Sequence, residues 1–337
     1  QRRIMQFSKK YQPLLAKPYA RDKVNSIDFD SLSLPEQDYW IKLDGVDTFV
    51  ITGGRGSGKS LVVEVDSHLR GFEHGHNTYY TRYTNDSLET TVKADFDKVL
   101  ELLPYKCEFQ KNRISYENGG LIYFKGLKRG SKAQTAGGKG LSSFNVQVVE
   151  EAEEHPSFEE FDKMRLSLRR NDLANYSILL LNPTTSTHWI YQKFFQEKNV
   201  KAGSNVIVDN VCYIHTSYLD VDKKHHTREN WQLYEKGRKA YESFNLLTEQ
   251  EKEKENCSQE IKRLHKWYEI IVLGGWLEKQ EGTILNNWEE GEFDESLPYI
   301  FGQDYGFDDP TTLVKVAIDK KKKLLYLDEC FYLSGLD

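Results

Sequence analysis

The chain is poor in cysteine. Four cysteines in 337 residues (Cys107, Cys212, Cys257 and Cys330) are scattered, with no CxxC pair and no metal-ligand spacing. That excludes a disulfide framework and a thiolate zinc site, and leaves buried or free thiols in a reducing compartment. Long hydrophobic runs are also missing. The most apolar short stretch, Ile270-Ile271-Val272-Leu273, is far below the length of a membrane span, and the first residues lack the apolar core of a secretion signal, so a soluble, intracellular protein is expected. Nor is there an excess of positive charge: 46 basic against 52 acidic residues leave a formal charge of −6. This excludes a protein that coats nucleic acid with its whole surface, but not one that touches it through local basic loops. No internal repeat or low-complexity tract is present. What the chain does have is 38% hydrophobic and 13% aromatic residues, enough for a core and a second, smaller unit.

Residues 1–45 show no clear period and contain Pro13, Pro18 and Pro35, which reads as an N-terminal arm, with Tyr19 and Arg21 as candidates for holding an adenine ring. Apolar strand-like runs then alternate with amphipathic stretches. Thr48 to Thr52 precedes a helical pattern carrying Leu61, Val62, Val65, Leu69 and Phe72; Asn77 to Tyr83 precedes a helix opened by Asp86 and Glu89 with Leu88, Val92, Phe96, Val99 and Leu103 on one face. A hairpin is expected about Asn118-Gly119-Gly120, then a glycine- and lysine-rich loop from Lys128 to Gly140. A strand at 146–149, a helix from about 157 to 170 and a strand at 178–181 follow. This alternation predicts an α/β fold, a mainly parallel sheet flanked by helices. From about 228 to 273 the chain turns helical and charged, a helical linker or subdomain reaching to about 298. From Tyr299 it turns to alternating β segments, with Lys320-Lys321-Lys322 as a turn, so a second domain is expected over 299–337 behind a core of 46–227.

The chemistry concentrates in three short stretches. Gly53-Gly54-Arg55-Gly56-Ser57-Gly58-Lys59-Ser60 stands between a strand and a helix, the setting of a phosphate-binding P-loop. Glycines let successive main-chain N–H groups turn toward phosphate oxygens, the helix N-terminus adds its dipole, Lys59 reaches the β- and γ-phosphates, and the Ser60 hydroxyl can ligate Mg²⁺, so ATP with Mg²⁺ is the expected ligand. Val146 to Glu151 has the form of a Walker B strand, expected to adjoin the strand before that loop and to deliver two acids beside it. Glu150 would hold the metal, standing where an aspartate is usual, and Glu151 would polarise the attacking water. Glu153 and Glu154 read as an acidic helix cap. A cation that neutralises transition-state charge is expected from Arg129, Lys132, Lys139 or Arg55, basic positions that could equally meet DNA phosphates. Asn182-Pro183-Thr184-Thr185 ends the next strand, where Asn182 could sense the γ-phosphate or simply make a turn.

These stretches, with His188-Trp189, His215 to Asp220, and Gly302-Gln303-Asp304-Tyr305-Gly306-Phe307 with Asp309-Pro310, resemble the large terminase subunit of tailed double-stranded-DNA phages over nearly the whole chain. The resemblance implies a RecA/ASCE-like P-loop ATPase followed by the start of an RNase H-like nuclease, acting in the host cytoplasm. It also implies a homo-oligomeric ring, a pentamer on the portal of a procapsid, with double-stranded DNA and a small terminase subunit as partners. Asn182 becomes a coupling residue and Asp304 the first acid of a nuclease site using Mg²⁺ or Mn²⁺. One aspartate cannot hold two divalent ions about 4 Å apart, and Glu329 does not match the second position, so this stretch should not cut DNA by itself. A helicase-like remodelling ATPase, a small-molecule phosphotransferase and a silent ATP-binding subunit remain as alternative readings.

Overall fold

The computed structural model describes residues 7–83, 92–103, 105–129, 134–135, 141–248, 259–277, 291–305 and 311–333. It divides into two compact units, 1–280 and 281–337.

The first unit opens with two helices, α1 (Gln12–Asn25) and α2 (Leu34–Asp44). Then come β1 (Thr48–Gly53), α3 (Lys59–His74), β2 (Asn77–Arg82) and α4 (Lys93–Leu102). The strands β3 (Cys107–Gln110), β4 (Arg113–Tyr116) and β5 (Leu121–Gly126) form an antiparallel edge, and two short strands, β6 (Lys128–Arg129) and β7 (Gln134–Thr135), pair apart from the main sheet. Next are β8 (Val146–Glu150), α5 (Phe158–Arg165), β9 (Tyr176–Leu181), β10 (Val206–Val208) and β11 (Val211–Thr216). Helices α6 (Arg228–Asn245) and α7 (Gln259–Trp267) follow, and α7 runs into one π-helical turn, Tyr268–Val272.

The main sheet runs β10-β11-β1-β9-β8-β2-β5-β4-β3, with its six central strands parallel. Every residue of β1, β2, β8 and β9 is buried, which is why these strands read as continuous runs without alternation. One expectation changes here. The acid-bearing strand β8 does not adjoin the P-loop strand β1, because β9 lies between them. Strand period encodes burial and says nothing about neighbours, so this order was not readable from sequence.

The stretch expected as an arm is part of the core. Tyr11, Leu14, Ala20 and Leu43 are buried in the main hydrophobic cluster with Phe49, Val62 and Tyr176. Its period was hidden because the buried face of α1 also carries Lys17, whose ammonium donates to the carbonyls of Leu43 at 2.9 Å and Asp44 at 2.6 Å at the end of α2. Pro13 and Pro35 stand in the first turns of their helices, where a missing N–H costs nothing. Helix α5 is shorter than expected, and α4 starts at Lys93; the capping pair Asp86 and Glu89 lies outside the described residues.

Helices α6 and α7 close on their own aromatic cluster of Tyr218, Tyr234, Tyr268 and Val272. The second unit is an antiparallel meander of β12 (Tyr299–Asp304), β13 (Thr311–Asp319) and β14 (Leu324–Leu333), with Lys315 between the rings of Phe293 and Tyr299 and paired with Glu295 at 2.6 Å. Among the described residues, no helix is long and apolar enough to cross a membrane.

Candidate active site

The loop after β1 wraps a cleft of about 450 Å³ at the carboxyl ends of the parallel strands. Gly54 through Leu61 line it together with Glu150 and Glu151 from the end of β8, Arg82 from the end of β2, Leu180, Leu181 and Asn182 from the end of β9, and Asp95 of α4. Register explains the convergence. Gly53 pairs with Thr216, Thr52 with Leu181, Glu150 with Leu180 and Arg82 with Glu150, so five adjacent strands end at one level. Open α/β sheets bind ligands at that edge.

Two glycines make the cradle possible. Gly53 has φ +155°, and a Cβ there would sit 2.1 Å from the Thr216 carbonyl oxygen; a Cβ on Gly54 would sit 1.8 Å from that of Val272. The loop is thus seated against β11 and the π-helical turn, and Arg55 donates its main-chain N–H to Ile271 at 2.8 Å. Gly58, left-handed at φ 75°, caps α3 and leaves the first amides of that helix toward the cleft.

Lys59 is buried, and its ammonium donates to the carbonyls of Gly53 at 2.9 Å and Gly54 at 3.0 Å, to Ser57 Oγ at 3.2 Å and to Asn182 Oδ1 at 3.0 Å. Burial lowers its pKa to about 8, opposed by the charges of Glu153 and Glu150. Glu150 is 7% exposed. Burial pushes its carboxyl up, while the Ser60 hydroxyl and Arg82 favour the ionised form. Burial also pushes Glu64 up to about 8, with the charges of Glu150 and Asp95 adding to the shift.

Glu151 departs from the strand path with φ 51° and ψ 49°, a left-handed conformation that costs a non-glycine residue about 1–3 kcal/mol. The turn aims its carboxylate into the cleft, where it pairs with the Arg82 guanidinium. Arg82 is a cleft-lining cation absent from the sequence-based candidates, because only strand order places the end of β2 beside the end of β8. Arg55 lines the cleft too. Arg129 lies in the short strand β6, and its side chain, like Lys132 and Lys139 altogether, lies outside the described residues.

Glu153 is not a helix cap. It sits in a 3₁₀ turn (Ala152–Glu154), and its Oε1 accepts from the main-chain N–H and the Nδ2 of Asn182, both at 3.3 Å; α5 is capped instead by Ser157. Asn182 therefore stands between Lys59 and the acids because β9 does. The donor set fits a divalent cation with a triphosphate: Glu150 Oε2 is buried with no protein partner, and the Ser60 hydroxyl is beside that carboxyl. Asp304 ends an exposed strand of the second unit, and Asp308 and Asp309 lie outside the described residues. Among the described residues, no group of three or more His, Cys, Asp or Glu is arranged to hold a metal.

Strand, glycine loop and helix in this topology define the P-loop class of α/β fold. A sequence profile for the phage terminase large subunit (Terminase_3) matches residues 46–244, and the chain belongs to that family. It is 23% identical over 299 residues to the PBSX phage terminase large subunit of Bacillus subtilis (strain 168), covering 86% of this chain and 65% of that protein. The chain thus spans less than two thirds of that relative's length. Among solved structures, the large terminase of a thermophilic bacteriophage superposes with a TM-score of 0.52 at 16% identity, over 96% of this chain and 69% of that one. That likeness concerns the fold.

Proposed function

We propose that the chain is the ATP-hydrolysing motor subunit that moves double-stranded viral DNA into a procapsid. The observation that carries this reading is the cleft itself: Lys59, Ser60, Asn182 and the acids Glu150 and Glu151 surround one cavity opened by the glycine loop. Main-chain amides of 54–60 and the Lys59 ammonium bind the triphosphate; Ser60 and Glu150 would hold Mg²⁺, which when bound offsets phosphate charge. Glu151 orients and deprotonates the attacking water. Arg82 holds the Glu151 carboxylate in place, and Arg55 and Arg129 are candidates for the charge-neutralising cation. Asn182 senses the terminal phosphate next to Lys59. Family membership supports DNA as the track, with phosphate-directed grip suited to any base order. It likewise supports a pentameric ring on the portal, a small-subunit partner and action in the host cytoplasm. Residues 299–337 are proposed as the start of a nuclease domain with Asp304 as one metal ligand.

The test is ATP hydrolysis by wild type, Lys59→Ala and Glu151→Gln, with and without double-stranded DNA and empty capsids. Both variants should lose turnover by about 10²-fold or more, the scale of a lost transition-state contact, while Glu151→Gln still binds nucleotide. Near-normal turnover by Glu151→Gln would remove it from the base role. Strand separation rather than packaging would favour a helicase.

A further inference from the structure

Glu153 belongs to neither recognised motif, yet its carboxylate turns inward. Its Oε1 lies 3.3 Å from both nitrogens of Asn182, while Asn182 Oδ1 accepts from Lys59 at 3.0 Å. A side-chain amide has a donor end and an acceptor end. Reversed, it would set its NH₂ against the Lys59 ammonium and its oxygen against the Glu153 carboxylate, two repulsive contacts in place of two hydrogen bonds. Cation, amide and carboxylate therefore have one consistent arrangement, carried by three elements: the start of α3, the end of β9 and the turn after β8.

That turn is firmly held. Glu154 donates its N–H to the Glu151 carbonyl at 2.9 Å, His155 to that of Ala152 at 3.1 Å, and Trp189 Nε1 donates to the His155 carbonyl at 2.6 Å. Ala152 is wholly buried among Phe161 and Leu181. Burial pushes the Glu153 carboxyl up, opposed by main-chain hydrogen bonds, the Asn182 amide and the Lys59 charge. Its Oε2 is buried with no protein partner, so Asn182 is the only side chain the carboxylate engages by hydrogen bond among the described residues.

We propose that Glu153 is a positioning residue for hydrolysis: it locks the Asn182 amide with Oδ1 toward Lys59, so that ammonium and amide meet the terminal phosphate as one fixed pair. The proposal rests on the hydrolytic reading of the cleft given above. Glu153 touches no reacting atom. It acts through Asn182, on geometry that matters at the transition state more than in nucleotide binding.

The experiment compares wild type, Glu153→Ala, Glu153→Gln, Asn182→Ala and the double variant Glu153→Ala/Asn182→Ala. Steady-state ATP hydrolysis is measured with DNA present, and the Asn182 side-chain amide is followed by NMR, assigned by its loss in Asn182→Ala. For Glu153→Ala, kcat should fall roughly 10–100-fold with KM for ATP within about threefold, the pattern of displaced catalytic geometry. Glu153→Gln keeps an acceptor oxygen at the same reach and should recover most of kcat. The double variant should be no slower than Asn182→Ala alone, because the two residues act as one unit. The Asn182 amide resonances should shift in Glu153→Ala and return toward wild type in Glu153→Gln. An unchanged kcat in Glu153→Ala, a rise confined to KM, or full additivity in the double variant would overturn the proposal while leaving the hydrolytic reading intact. A wild type that binds ATP without hydrolysing it would instead overturn that reading, and an Asn182 amide unmoved by Glu153→Ala would then overturn the proposal as well.

Discussion

Two regions of the first unit each bury a lysine, and burial lowers both to a pKa of about 8. Lys17, in the N-terminal helical pair, donates to carbonyls of Leu43 and Asp44 that end α2. Lys59, in the cleft, donates to loop carbonyls, a serine hydroxyl and the Asn182 amide. The desolvation cost is alike, but the partners differ in kind. Those of Lys17 are helix-end carbonyls, of which Leu43 also accepts from the Val46 N–H at 3.2 Å; of those of Lys59, Gly54, Ser57 and Asn182 line a cavity shared with Glu150 and Glu151. Buried charge marks a functional site when its partners face a cavity, and a structural one when they close a helix.

The sharpest break of this comparison is a pair of methionine substitutions. Lys59→Met should lose ATP turnover by about 10²-fold or more with its denaturant midpoint close to wild type, since a desolvated charge leaves with the activity. Gly54→Ala should cost about 1–3 kcal/mol and weaken nucleotide binding, because the new methyl meets the Val272 carbonyl and must unseat the loop or the π-helical turn. Calorimetric melting and a fluorescent ATP analogue read both effects. Lys17→Met should cost about 1.5–3 kcal/mol in urea, the value of hydrogen bonds to a charged group, with turnover per folded molecule retained.

The pH dependence separates the lysines further. A lysine whose folded pKa is lowered leaves the native state with fewer protons than the unfolded chain between pH 8 and about 10.4, so stability rises with pH through that window. The stability gap between wild type and Lys17→Met should therefore widen by roughly 1 kcal/mol per pH unit above 8; a gap that narrows would mean the Lys17 ammonium is not desolvated. The smallest effect is Gly119→Ala. At φ +86° with open space around it, this glycine answers only to backbone strain, about 1 kcal/mol by thermal melt.

The same contrast marks what was legible beforehand. The places of Gly53 to Ser60, Glu150 and Asn182 could be read because they depend on local matters: loop conformation and strand endings. The hairpin about Gly119 and the three strands of the second unit were equally local. Arg82 and Glu153 were invisible beside the cleft, since Arg82 meets Glu151 only because β2 pairs with β8, and Glu153 meets Asn182 only because β9 lies on the other side of β8. The helical pair at the start was hidden by Lys17, a charged residue on a buried face. Long-range strand order and buried charge escape periodicity for one reason: each is satisfied by groups far away in sequence.

The most direct measurement is a structure of Glu151→Gln with ATP and Mn²⁺, the metal located by its anomalous signal. The triphosphate should lie on the amides of 54–60, with Lys59 at its terminal phosphate and manganese held by Ser60 and Glu150. A nucleotide bound away from the glycine loop, or a metal remote from Glu150, would contradict it.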